Sequence, residues 1–141
     1  MKYFRYKAVV TEYTTLSLVV PDGVVAYQYT ENLAGVDIAD SEAFLAQQHP
    51  ECEVTELTFQ EVESELKECR LYRDIDEIVR TMIHNIYSLD DEIKLLKLDK
   101  LDPEFIEYQS YVASCRSFGR GMKVERGLKQ DRKSTRLNSS H

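Results

Sequence analysis

Carboxylates are the most numerous side chains here that could do chemistry, and they come in runs. "EVESELKE" brings Glu61, Glu65 and Glu68 into one short stretch, and "DIDE" and "LDDE" repeat the theme. Neighbouring carboxylates can act as general acid and base, or hold a hard cation through oxygen. No EF-hand loop pattern is present. Each run falls on the polar side of an amphipathic pattern or in a first helical turn, where the helix dipole favours anions. The expected role of these acids is a solvated face. His84, in "TMIHNIY", borders an apolar stripe, and His49 precedes Pro50 at the end of a helical pattern. Neither sits in an H-E-x-x-H or triad arrangement. An enzymatic reading would require a deep pocket that joins His84 to two or more carboxylates. Cys52, Cys69 and Cys115 are widely spaced and form no C-x-x-C pair, which suits free buried thiols better than a disulfide framework or a zinc site. Walker A, G-x-G-x-x-G and G-x-S-x-G patterns are all missing. The expectation is a protein that is not an enzyme, with no catalytic residue, no metal and no cofactor.

Two further groups could bind rather than react. Tyr3, Phe4, Tyr6, Tyr13, Tyr27 and Tyr29 crowd the first thirty residues, where exposed rings could stack on bases or sugars. Tyrosine also favours strands, and the RNP1 pattern is missing. Sheet packing is expected, with Tyr27 and Tyr29 as candidates for a partner-binding face because tyrosine is enriched at protein interfaces. Near the other end, Arg116, Arg120, Lys123, Arg126 and Lys129 could meet phosphate or an acidic partner, or simply complement a helix C-terminus.

The elements that must position these groups follow from periodicity. "KYFRYKAVV" predicts a strand with Tyr3, Arg5 and Lys7 on one face and Phe4, Tyr6 and Ala8 on the other. "TTLSLVV" and "VVAYQYT" flank "PDG" and predict a hairpin, whereas "ENLAGVDIAD" has no period and predicts a loop. "DSEAFLAQQHP" predicts a short helix with Phe44 and Leu45 inward, and "ECEVTELT" a half-buried strand. Thr58 and Glu61 form a capping-box signature ahead of Phe59, Val62, Leu66 and Cys69. From residue 74 the spacing is helical throughout, with Ile75, Ile78, Val79, Met82, Ile83, Ile86 and Tyr87 along one stripe. Ser88 with Asp91 starts another helix, carrying Ile93, Leu96 and Leu98. Asp102 with Pro103 starts a last one, its inward face Phe105, Tyr108, Val112 and Cys115, which Gly119 and Gly121 should end. The fold class is therefore α+β: a small antiparallel-type sheet with short helices, followed by a helical C-terminal unit. The expected divisions are 1–72, 73–118, a basic tail 119–130, and 131–141.

That last stretch, "DRKSTRLNSSH", resembles a translated sequencing adapter, is expected to be non-native and structureless, and suggests a fragment end from an environmental library. The chain's net charge is −7; residues 131–141 hold three cations and one acid, so without them it is −9. The acidity is concentrated. Residues 37–72 hold ten acids and two bases, a block that would repel a phosphate backbone and argues against general nucleic-acid binding. No apolar run approaches the roughly 20 residues of a membrane span, and the N-terminus lacks the features of a signal peptide.

Residues 74–116, "DEIVRTMIHNIYSLDDEIKLLKLDKLDPEFIEYQSYVASCR", run from a helix ending in an aromatic, through a capped restart, to an acidic-proline start and an aromatic helix. This order resembles small phage proteins encoded with tail or tail-fibre genes, including tail-fibre assembly proteins; the matching residues are Tyr87, Ile93, Phe105, Tyr108, Tyr111 and Arg116. The resemblance implies a non-enzymatic, chaperone-like or virion accessory protein whose partner is a fibre or tail protein. It also implies a location in the cytoplasm of an infected bacterial host or on the virion. Phe105, Tyr108 and Tyr111 are the candidate anchors, since aromatics dominate binding hot spots; Phe105 and Tyr108 fit the protein's own core as well, and Tyr111 lies off the main stripe. An alternative function is an acidic mimic of nucleic acid that inhibits a host defence enzyme. That would need Glu53, Glu56, Glu61, Glu65 and Glu68 on one continuous face. The oligomeric state is left open.

Overall fold

The computed structural model describes residues 1–131, and the expectation for the remainder of 131–141 lies outside the described residues. The described residues divide into two compact units, Met1–Arg70 with Arg126–Leu128, and Leu71–Glu125 with residues 129–131. The first carries a four-stranded antiparallel sheet and the second is helical, so the class is α+β as the element order predicts.

In the first unit, β1 (Lys2–Arg5) is an inner strand of the order β4-β5-β1-β6, where β4 is Ala26–Thr30, β5 Leu33–Val36 and β6 Thr55–Leu57. An inner strand covered on both faces buries successive residues. The Tyr3 ring meets Tyr29 and Phe59 at 6.1 and 6.0 Å, while Phe4 meets Phe44 at 5.2 Å on the opposite side. Phe44 is delivered by the short helix α1 (Ser41–Ala46), in which Leu45 is exposed rather than inward.

The hairpins differ from the sequence expectation. "TTLSLVV" does not pair with "VVAYQYT"; instead β3 (Thr15–Leu16) pairs with β2 (Val9–Val10), and β4 pairs with β5. The "PDG" turn does form, with Gly23 at φ 81° and the Val24 amide donating to Pro21 carbonyl at 3.1 Å. The residues after it reach the sheet only at Ala26. Leu33–Val36 read as loop because all four are buried, which erases alternation, and because Gly35 interrupts the apolar run. That glycine is required: a Cβ would collide with the Tyr29 ring, two ring carbons lying at 2.8 Å.

Helix α2 (Phe59–Glu68) begins at the expected capping box. The Glu61 amide donates to Thr58 Oγ1 at 3.3 Å and the Thr58 amide to Glu61 Oε1 at 3.1 Å. Val62 and Leu66 are fully buried, about 1.5–3 kcal/mol of transfer free energy each. Cys69, in extended conformation, ends α2 before α3 (Arg70–Ile86) starts.

In the helical unit, α3, α4 (Leu89–Leu96) and α5 (Pro103–Glu125) enclose a core of Ile83, Phe105, Tyr108, Val112 and Cys115, backed by Val79, Met82, Tyr87, Leu95 and Leu98. Two start signals operate as read. Ser88 and Asp91 close a capping box, and the Glu104 amide donates to Asp102 Oδ1 at 2.9 Å ahead of Pro103. The stripe on α3 is wider than the core it faces, so Ile78 and Ile86 are exposed; on α4, Leu95 turns inward while Ile93 and Leu96 face solvent. The last helix does not stop at Gly119. It continues through both glycines to Glu125, because Gly119 is the position where Val79 Cγ2 packs against bare backbone, closer than a Cβ there would permit. Nor does the chain trail away as a basic tail. Tyr3 Oη donates to Gly127 carbonyl at 2.5 Å and Tyr29 Oη to Arg126 carbonyl at 2.6 Å, fastening this segment to the sheet within the first unit.

Candidate functional site

The aromatic candidates separate into buried and accessible groups. Tyr29 is buried, hydrogen-bonded as above, and its hydroxyl pKa is pushed up by burial and by its tyrosine neighbours. Tyr27 is half-buried on the sheet. Phe105 and Tyr108, 7% and 8% exposed, belong to the helical core, where Tyr87 stands edge-on to Tyr108 at 5.0 Å. Tyr111 is half-buried. Its hydroxyl donates to Met82 carbonyl at 2.8 Å, which fixes the ring against α3 beside Tyr87, 5.7 Å away.

Tyr87 and Tyr111 form the wall of a groove of about 840 Å³ whose other sides are Ile86, Pro103 and Ile106. Ile86 and Ile106 are 60% and 51% exposed at its mouth, and Glu107, Ser110 and Ser114 give it a polar edge. An apolar trough with rigid aromatic walls and a polar rim is the arrangement that accepts a partner's side chains. Ile86, expected on the inward stripe of α3, is exposed instead, and Ile106 is not marked by the sequence pattern because it lies beside the inward Phe105. The available signal was Ile106 itself, an isoleucine one place off the Phe105–Tyr108 stripe. Leu89 and Leu96, each 65% exposed, give α4 a second apolar face with Ile93 between them.

The acids proposed as a mimic surface are largely spoken for. Lys7 pairs with Glu53 at 3.1 Å, Lys2 with Glu56 at 3.3 Å, and Arg5 grips both oxygens of Glu65, one at 3.0 Å. The Arg5 hydrogen bonds hold the Glu65 carboxyl below its ordinary value of 4.5, and the capping bonds from Thr58 do the same for Glu61. Among the described residues only Glu68 of the five makes no such bond. Cations threaded through the block weaken it as a phosphate-like decoy, which needs unneutralised anions.

His84 does meet carboxylates. Its Nε2 lies 2.8 Å from Glu92 Oε1, and Glu92 also accepts from the Tyr108 hydroxyl, which burial and this bond push up to about 12. Both His84 and Glu92 line a cleft of about 560 Å³ in the helical unit. Asp76 lines it too, bound to Lys123 Nζ at 2.5 Å, and Lys123 rests 3.9 Å from the centre of the Tyr72 ring. The pocket named above as the condition for enzymatic chemistry therefore exists in composition. Among the described residues no serine, threonine or cysteine lines the cleft. His49 stands apart, half-buried before Pro50 in the sheet-bearing unit.

Cys52, Cys69 and Cys115 are all free and buried. Among the described residues no cluster of histidine, cysteine and acids could hold a metal ion, and no helix is long and apolar enough to cross a membrane. Comparison with protein-family models, curated proteins and solved structures finds no match to the chain.

Proposed function

We propose that the chain is a non-enzymatic protein-interaction module whose helical unit docks an apolar segment of a partner, and that the partner is a phage fibre or tail protein. The groove of Ile86, Tyr87, Ile106 and Tyr111 carries this reading. It supplies exposed branched side chains between ordered tyrosines, and ordered aromatics bind at low cost in conformational entropy. The identity of the partner rests on the resemblance of residues 74–116. Within this reading, Tyr111 serves as wall and anchor, while Phe105 and Tyr108 support the groove from the core.

Co-expression with a tagged fibre or tail protein tests the proposal. The wild-type chain should co-purify with it, and Ile106→Asp should weaken retention about 30-fold, as for a hot-spot residue worth ~2 kcal/mol. Ile38→Asp, at an exposed isoleucine of the sheet-bearing unit, should leave retention unchanged. Both substitutions are at solvent-exposed positions, so circular dichroism should match the wild type. Equal retention of all three chains would sink the proposal.

A further inference from the structure

The cleft beside His84 has an unusual charge for this molecule. In a chain of net charge −7, its lining carries Arg80 from α3, Arg116 and Arg120 from α5, Lys123 and Lys129, against only Asp76 and Glu92. Both acids are committed, Asp76 to Lys123 and Glu92 to His84 and Tyr108. Of the remaining cations, Arg120 donates to the Gln130 carbonyl at 3.4 Å, and none of Arg80, Arg116, Arg120 or Lys129 pairs with a carboxylate among the described residues.

This assembly costs the free protein stability. Arg116 and Arg120 are four residues apart on one helix, a spacing at which like charges repel by a few tenths of a kcal/mol. Arg80 and Lys129 add to the same field in a concavity where solvent screens less than on a convex surface. A bound anion would relieve that repulsion. Guanidinium groups on two different helices can offer forked donor pairs to one tetrahedral oxyanion, the geometry that favours arginine for phosphoryl recognition. The space exceeds what an inorganic ion fills. At about 560 Å³ it falls within the size range of small-molecule sites, and Val79, Ile83 and Gly119 give it an apolar floor.

We propose that this cleft binds the phosphoryl group of a small phosphorylated molecule through Arg80, Arg116, Arg120 and Lys129, with the rest of the ligand lying on Val79 and Ile83. The structure also sorts the five bases near the C-terminus. Arg116, Arg120 and Lys129 face the ligand, Lys123 is held by Asp76, and Arg126 belongs to the segment fastened to the sheet.

Isothermal titration of the full chain with inorganic phosphate, pyrophosphate and adenosine monophosphate tests the assignment. Saturable binding of at least one is expected, weakening as sodium chloride is raised. Tighter binding of the nucleotide than of phosphate is expected if the rest of the ligand lies on Val79 and Ile83; equal binding would overturn that part of the proposal while supporting the phosphoryl site. Arg116→Gln with Arg120→Gln should weaken binding about tenfold or more per arginine. Arg80→Gln, on the other helix, should act in the same direction. Arg73→Gln removes the same charge from an exposed position that does not line the cleft and should leave binding unchanged. Since the altered side chains are exposed or half-buried, thermal melts in phosphate-free buffer should stay close to the wild type. No saturable heat with any of the three ligands would overturn the proposal. So would undiminished affinity in the cleft variants, or an equal loss in Arg73→Gln.

Discussion

A single methyl group added at residue 119 probes how α3 and α5 meet. Alanine improves helix propensity by about 1 kcal/mol over glycine. Here, however, the new Cβ would overlap Val79 Cγ2, and a β-branched side chain in a helix has almost no other rotamer to retreat to. Overpacking of this kind costs about 1–3 kcal/mol, so Gly119→Ala should lower stability by ~1–2 kcal/mol in urea unfolding. Val79→Ala should offset part of that loss in the double variant; a stabilised Gly119→Ala would mean that the helices do not approach this closely. The tyrosines give a second residue-level expectation. Burial pushes Tyr3 up to about 12, Tyr108 likewise, and Tyr29 further. A raised folded value means stability is fully present below the ordinary 10 and is lost as pH rises from there through about 12. Tyr3 alone represents on the order of 3 kcal/mol. In an alkaline titration followed by tyrosinate absorbance, several of the nine tyrosines should ionise only together with unfolding. A smooth titration of all of them near 10, with the fold intact, would contradict this burial.

Helix starts are where local chemistry and the final fold agree most closely. Thr58 with Glu61, Ser88 with Asp91, and Asp102 ahead of Pro103 each satisfy backbone donors that no neighbour within the helix can reach. Thr58→Ala should cost about 1 kcal/mol, seen as a lower urea midpoint with unchanged slope; no shift would mean that packing alone sets the start of α2. These starts were legible because a cap is a contact across three residues. Strand partners were not. The pairing of β4 with β5, and of β2 with β3, depends on contacts that spacing alone does not encode, and Leu33–Val36 lost its alternation by being covered on both faces. The end of α5 differs from its local signal for a related reason: glycine signals a helix stop in isolation, whereas Gly119 makes room for Val79.

Across the molecule, charge and apolar exposure are distributed differently in the two units. The acidic block of residues 37–72 is partly neutralised by Lys2, Arg5 and Lys7 of the first unit, whereas the second gathers cations into one cleft and leaves Ile86, Leu89, Leu96 and Ile106 in solvent. Of the candidate anchors, Phe105 and Tyr108 were readable as inward from their spacing, and Tyr111 as the residue off the stripe. The groove itself was not, since it is shaped by the end of one helix and the start of another. Its use as a docking site is most directly tested by methyl NMR of isoleucine-labelled full-length chain, titrated with a purified fibre or tail protein. The Ile86 and Ile106 methyls should shift or broaden to saturation while Ile38 stays in place. A spectrum that does not change, or one in which Ile38 moves and those two do not, would contradict the assignment of the groove as the binding surface.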